Sequence, residues 1–260
     1  MLADEGNIGK GTVRKIVVEG LRKRKICSRF VSHSLTPEQK DQRIAACRDL
    51  IATRDSDPDL FKKIVIGDET WCSAYDPTTK RQSAPWFGET SPRPKKLRFQ
   101  KSRVKTVLMI FFGWQSVIHK EFVSEGETIN AACYKGVMER LLNRIRRVRS
   151  GMCESGDWFL FARQRPVPQR DNRQAVLAQR NVTVLDHPSY SSDLTPADYF
   201  VFPKVKSHLK GRLFDSISDI QKAVTITLNT TAKEDFYEGI QKLYDRANLC
   251  VQLEGMCVEN

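Results

Sequence analysis

Two acidic residues stand where metal-dependent chemistry is commonly carried out. Asp68 lies in a short strand-like run, residues 64–70, and Asp198 lies at the entrance to a predicted helix. Carboxylates at a strand end and at a helix start, held together by a fold, are what two-metal phosphoryl chemistry requires. The pair therefore favours metal-dependent phosphoryl chemistry, if the fold brings both side chains to one place.

The balance of charge favours an anionic partner. The 260 residues include 43 Lys and Arg against 31 Asp and Glu, a formal net charge of +12. A nucleic acid is a natural partner of such a chain, although a merely basic surface gives the same count. The length suits one sizeable core with a small appendage.

The cysteines and histidines argue against a structural zinc site or a disulfide framework. The seven cysteines are an odd number without a C-x-x-C spacing, and the four histidines lack the offset of a zinc finger. A reducing intracellular compartment is the simpler interpretation. The N-terminus has no apolar signal core, and the longest apolar stretch, 107–114, is too short to span a bilayer. We therefore expect a soluble protein with no membrane partner.

Residues 1–25 have the pattern of a partial helix-turn-helix. A short helix is predicted over 3–8, a glycine break follows, and Thr12 is expected to cap a second helix. Arg14 and Lys15 point outward on this helix, so we expect them to contact DNA. Many amphipathic helix pairs look the same, and the chain starts too late to supply the preceding helix that closes such a unit. We therefore expect poor binding to a specific sequence.

Residues 26–58 are interpreted as a linker. Thr36 followed by Pro37 marks a helix start, and a polar helix is predicted from there through Leu50.

Residues 59–260 alternate between strand and helix periodicity. Strands are predicted at 63–67, 106–114, 117–123, 158–161 and 182–185, and helices at 129–149, 197–210 and 218–230. Three hairpin-linked strands followed by crossovers give the α/β class, a mixed sheet flanked by helices on both faces. The outward arginines of helix 129–149 are interpreted as a solvated face rather than as a DNA-binding one; they are Arg140, Arg144, Arg146, Arg147 and Arg149.

Several segments resemble the mariner family of DNA transposases. They are Ile66–Trp71, His187–Tyr199 with its run Tyr-Ser-Ser-Asp-Leu-Thr-Pro-Ala-Asp, Phe200–Lys204, and Phe30–Leu35, which is similar to the family's linker motif W-V-P-H-x-L. The resemblance implies a ribonuclease-H-like catalytic domain at 59–260 that cuts and rejoins terminal inverted repeats in the nucleus, using Mg²⁺ or Mn²⁺. It implies DNA as a partner, a homodimer, and Asp68 and Asp198 as catalytic metal ligands.

The second catalytic aspartate of that family is replaced in this sequence. Mariner transposases need three aspartates, with 34 residues between the second and the third. Counting the same interval back from Asp198 reaches Arg163, where Ala-Arg-Gln stands in place of the family's His-Asp-Asn. Three carboxylates offset the four positive charges of two magnesium ions. Arginine instead adds a cation, and two like unit charges 4 Å apart repel by about 4 kcal/mol at an effective dielectric near 20. We therefore expect weakened metal binding and impaired catalysis.

Two explanations of the altered position remain open. Asp171-Asn172 has the family's residue types and is a candidate to substitute for the lost pair, but it lies eight residues too late. Alternatively, residues 163–176 are out of frame. One set of codons allowed by residues 163–172, shifted by one base, encodes Asp-Asn-Ala-Pro-Ser-His-Asn-Ala-Thr, which has the family's motif.

A basic run supplies the best phosphate-contact candidates. Its members are Lys95, Lys96, Arg98, Lys101, Arg103 and Lys105. The proline-rich segment 76–101 resembles the family's clamp loop, which reaches across the dimer, although Trp86 and Phe87 have a comparably simple role in covering their own domain. The run is equally consistent with a solvated surface.

Two classes of function follow. The first is a mariner-type transposase that binds DNA and performs metal-dependent strand cleavage and transfer, in a catalytically impaired copy. The alternative is a non-catalytic, transposon-derived remnant that binds DNA or dimerises. Position 163 favours the second class over efficient catalysis.

Overall fold

The computed structural model of the chain describes residues 9–22, 34–79, 100–123, 131–162 and 182–258. The chain forms two compact units, Met1–Ser34 and Leu35–Asn260.

The described part of the first unit is a single helical segment. Helix α1, Lys10–Lys15, continues into a π-helical turn, Ile16–Gly20. The helix begins after Gly9, whose carbonyl accepts from the amides of Thr12 and Val13. The expectation that Thr12 caps this helix is therefore wrong. The helix predicted over 3–8 lies outside the described residues.

The second unit is built on a five-stranded mixed sheet. Its strands are β1 (Ile64–Ser73), β2 (Lys105–Phe112), β3 (Val117–Val123), β4 (Phe159–Ala162) and β5 (Thr183–Leu185), in the spatial order β3-β2-β1-β4-β5. The first three strands are antiparallel, while β4 and β5 add in parallel. All five predicted strands are present. The first is longer than expected because its second half, from Glu69 to Ser73, pairs with β2.

Helices cover both faces of the sheet, as the sequence predicts. In chain order they are α2 (Pro37–Ser56), α3 (Leu60–Lys63), α4 (Ala131–Val148), α5 (Ser150–Ser155), α6 (Phe202–Leu209), α7 (Ile217–Asn229) and α8 (Lys233–Gln252). A 3₁₀ turn at Ser192–Leu194 and a π-helical turn at Ala197–Val201 precede α6. The helix predicted over 197–210 is therefore a π-helical turn that continues as an α-helix.

The two faces of the sheet bury separate apolar cores. On the first face, Ile66, Leu108 and Phe112 pack with the elements of the C-terminal half and with α2. On the second face, Val65, Met109 and Phe111 pack with α4. The two sets differ because side chains alternate along each strand.

Helix α2 belongs to the second compact unit. Its start is a capping box, in which Thr36 and Gln39 each accept a hydrogen bond from the other's backbone amide. Arg43, Cys47 and Leu50 recur at helical spacing and are buried, and the helix packs against α8. The compact unit that contains the sheet therefore begins at Leu35, and the sequence-based division into a linker at 26–58 and a catalytic domain at 59–260 stays a prediction.

Candidate active site

Asp68 lies in the middle of β1, the central strand. It is 7% exposed and pairs in register with Ile110 of β2. One of its carboxylate oxygens accepts a hydrogen bond from the Glu69 amide at 2.8 Å. Because side chains alternate, Asp68 shares the first face of the sheet with Ile66, whereas Glu69 belongs to the second.

The pairing of β1 with β4 fixes where the chain leaves the sheet. Gly67 lies opposite Ala162, the last residue of β4, in a parallel register. The chain therefore departs from β4 next to the strand position that carries Asp68. Arg163 is the next residue in the sequence, and it lies outside the described residues, as does Asp171.

Asp198 lies in the π-helical turn Ala197–Val201. The turn is anchored by Ala197 and Val201, which are 0% and 2% exposed and belong to the same core as Ile66. Asp198 itself is half-buried, and its amide donates to the Thr195 carbonyl at 3.0 Å. The turn contacts β1. The fold thus brings the element carrying Asp198 against the strand carrying Asp68.

A buried ion pair fixes the loop that leads to Asp198. Arg43 of α2 is 0% exposed and donates to both carboxylate oxygens of Asp193, at 2.9 and 2.6 Å. It also donates to the carbonyls of Gly255 and Met256, at 2.9 and 3.2 Å. Asp193 additionally accepts from the Val258 amide at 2.7 Å. Three parts of the chain that are distant in sequence are therefore tied together five residues before Asp198.

The protonation of this pair follows from its contacts. Burial alone would raise the pKa of the Asp193 carboxyl, but the hydrogen bonds from Arg43 and from the Val258 amide lower it below its ordinary value. The pair is therefore ionised at neutral pH. Sequence reasoning missed it, although an arginine at helical spacing with Cys47 and Leu50 was a detectable signal.

The described donors do not fit a two-metal site. Within the described ranges, no group of three or more His, Cys, Asp or Glu side chains is arranged to hold a metal ion. Asp68 and Asp198 supply two carboxylates, and two divalent ions require more oxygen ligands and more negative charge than that. The assignment of these two residues as metal ligands stays a prediction.

The predicted DNA contacts are exposed wherever the structure describes them. Arg14 and Lys15 are exposed on α1. The Nζ atom of Lys101 lies 3.9 Å from Oδ1 of Asp76. The Nζ atom of Lys105 lies over the exposed ring of Trp71, 4.0 Å from the ring centroid. Arg103 is exposed between them. Lys95, Lys96 and Arg98 lie outside the described residues, as does most of the predicted clamp loop. In the described part of the chain no helix is long and apolar enough to cross a membrane.

Comparisons with known proteins agree with the resemblance found in the sequence. Residues 76–155 match the family model "Transposase (partial DDE domain)". The chain is 28% identical over 265 residues to the human histone-lysine N-methyltransferase SETMAR, covering 98% of this chain and 36% of that protein. It is 28% identical over 233 residues to the Mariner Mos1 transposase of Drosophila mauritiana, covering 89% of this chain and 66% of that protein. The chain thus spans about a third of the first relative and just under two thirds of the second.

The fold agrees with solved transposase structures. The Mos1 mariner paired-end complex with Mn superposes with a TM-score of 0.87 at 26% identity, covering 99% of this chain and 74% of that chain. The predicted ribonuclease-H-like fold is thereby confirmed.

Proposed function

Since the chain is in sequence and fold a mariner-family DDE transposase, we propose that it binds DNA as a mariner-type transposase whose strand cleavage and transfer at terminal inverted repeats is impaired. The DNA would be bound in the nucleus, by a homodimer. The observation that carries the proposal is the contact between β1, with Asp68, and the turn that holds Asp198.

Two features support the DNA-binding part. The chain carries a net charge of +12, and the described members of the basic run are exposed. Mos1 has been solved as a paired-end complex, which motivates the proposal of a dimer here. With the binding dominated by charge, affinity should fall steeply with salt and differ little between inverted-repeat and random duplexes. A preference above about a hundredfold at physiological salt would contradict this part.

Arg163 motivates the impairment. A position that supplies a third carboxylate in the family instead carries a permanent cation in this sequence. Two carboxylates are fewer than two divalent ions require, so Asp68 and Asp198 would hold part of the site without its full ligand set. The second candidate, a non-catalytic remnant that binds DNA or dimerises, rests on this same residue.

A cleavage assay tests the proposal. The unmodified chain should show no detectable Mg²⁺- or Mn²⁺-dependent nicking of a duplex that carries a mariner end. Arg163→Asp alone should restore little, because the following residue is Gln164 where the family has Asn. Replacing residues 163–176 by the frame-restored sequence should rebuild metal binding, seen as a rise in melting temperature with added Mg²⁺ or Mn²⁺. A ligand at 100 times its Kd stabilises a fold by about 2.7 kcal/mol.

The matched control is Asp68→Ala in the frame-restored background, which should remove the ion-dependent stabilisation. Robust nicking by the unmodified chain, abolished by Asp68→Ala, would overturn the impairment and reopen a role for Asp171.

A further inference from the structure

Helix α4 carries three outward arginines that take part in no ion pair recorded among the described residues. They are Arg144, Arg146 and Arg147, and all three are exposed. Arg140, one turn earlier, differs from them because it forms a two-pronged pair with Glu121 at 2.6 and 2.8 Å.

The composition of this face is not that of an ordinary solvated helix. Solvated faces usually intersperse both signs of charge, which permits pairs at helical spacing. The exposed face of α4 carries one acidic residue, Glu139, compared with the three arginines and the exposed Lys135. Cations near the end of a helix stabilise its dipole, which accounts for Arg146 and Arg147 in the last turn. It does not account for Arg144 or for the use of arginine, whose planar guanidinium matches a phosphate in two-pronged geometry.

The position of α4 separates these arginines from the candidate active site. The helix packs on the second face of the sheet, whereas Asp68 belongs to the first. The chain leaves α4 through α5 to enter β4, whose first residue pairs with Ile64 at the start of β1. Lys105, from the predicted basic run, pairs with Ser73 at the opposite end of β1. Nine residue steps of strand separate the two ends, about 30 Å.

From this arrangement we propose that the outward face of α4 binds the phosphate backbone of duplex DNA, on a segment other than the one presented to Asp68 and Asp198. The proposal extends the proposed function, because it requires DNA binding but neither end recognition nor cleavage. It also replaces the sequence-based interpretation of these arginines as a merely solvated face.

The test is the salt dependence of binding to a labelled random-sequence duplex by the full chain. Three phosphate contacts contribute about 2.7 to the slope of log affinity against log salt. In the triple variant Arg144→Gln, Arg146→Gln and Arg147→Gln, that part of the slope should be lost. The ratio of variant to wild-type Kd should then shrink by about 40-fold between 50 and 200 mM salt.

A matched control removes three exposed cations from other helices, by Arg48→Gln, Lys222→Gln and Lys242→Gln. This control has the same net charge as the test variant. It should nevertheless keep a slope close to wild type, because its three cations lie outside the proposed DNA-binding face of α4. The triple replacement of the α4 arginines by lysine should retain most of the slope, which separates a charge effect from a loss of folding. If the triple glutamine variant misfolds, the single Arg147→Gln variant is measured instead. Its slope should be reduced by about 0.9, a third of the reduction expected for the triple variant.

Equal slopes for wild type and a folded glutamine variant would overturn the proposal, as would an equal loss in the control. An effect confined to single-stranded RNA would also overturn it. If the wild-type chain binds no duplex DNA at all, the proposed function fails first, and that result is distinguishable because it appears before any variant is compared.

Discussion

The two faces of the central sheet use arginine in opposite ways. On the first face, Arg43 is fully buried and holds the loop before Asp198 through Asp193. On the second face, Arg144, Arg146 and Arg147 project from α4 into solvent. A cation that is buried with its partners serves the internal geometry, whereas exposed cations that pair with no acid within the described ranges are available to an external polyanion. Residue type alone does not distinguish the two uses; burial and partners do.

Breaking the buried pair should have the largest effect. Arg43→Met leaves the Asp193 carboxylate, whose side chain is 13% exposed, without its charge partner, so we expect a loss of about 3–5 kcal/mol in the free energy of unfolding. Urea denaturation measures the loss. The double variant with Asp193→Leu should recover part of the stability, because no uncompensated charge then remains. A loss below about 1 kcal/mol for the single variant would show that the pair is hydrated or dispensable.

Acid should remove the stabilising contribution of the Arg43–Asp193 pair on the first face of the sheet. The folded-state pKa of Asp193 is lowered, so its stabilising contribution is complete above the ordinary carboxyl pKa of about 3.9 and disappears as the pH falls through the lower, folded-state value. Melting temperatures measured from neutral to acid pH should therefore decline less in Asp193→Asn than in wild type, from a lower starting value. Parallel declines in the two proteins would assign the acid sensitivity to other carboxyls.

A methyl group added to Gly67 should disturb the second face from within β1. The Cβ of an alanine there would lie 2.6 Å from the buried ring of Phe111, so Gly67→Ala should destabilise the fold by about 1–3 kcal/mol. The control is Gly151→Ala in α5, where a Cβ meets no atom within 4 Å and where alanine favours the helix by about 0.5–1 kcal/mol. Thermal unfolding measures both variants. If Gly67→Ala unfolds at the same temperature as Gly151→Ala, the packing described for Phe111 is contradicted.

The smallest expected effect comes from the pair on the outer side of α4. Arg140 is exposed, and its hydrogen bonds lower the pKa of the Glu121 carboxyl. Because solvent screens this pair, Arg140→Met should cost only about 0.2–1 kcal/mol. Chemical denaturation beside Arg43→Met gives the contrast directly. A loss as large as that of Arg43→Met would remove the distinction between the two faces.

Local pattern in the sequence was sufficient to predict the sheet and most helices. The alternation and apolarity of the five strands and the helical spacing from Tyr134 to Val148 are strong signals. The length of β1 was underestimated, because its polar half, Glu69–Ser73, is held by pairing with β2 rather than by its own apolar pattern. The end of α2 was also set too early: the helix continues to Ser56, and in its last turn Asp55 accepts a hydrogen bond from the Tyr244 hydroxyl of α8 at 2.8 Å.

The candidate site was only partly accessible to sequence reasoning. Asp68 and Asp198 were found from their positions at a strand and at a helix entrance, and the structure puts those two elements in contact. The spacing of Arg43 with Cys47 and Leu50 signalled that this arginine is buried, but its partners lie 150 and 212 positions away, so no local pattern could identify them. The start of α1 was misplaced because a backbone carbonyl of Gly9, rather than the Thr12 side chain, receives the first amides.

The long reach of Arg43 also sets an order of events during synthesis. Its partner carbonyl at Gly255 is made 212 residues later, which is roughly 10–40 s at a translation rate of about 5–20 residues per second. Throughout that interval α2 lacks at least one of the groups that enclose its guanidinium, and its main partner, Asp193, follows only after 150 residues. Helix α2 is therefore made early and completed late, because the set of groups around Arg43 is whole only once Gly255 and Met256 have been made.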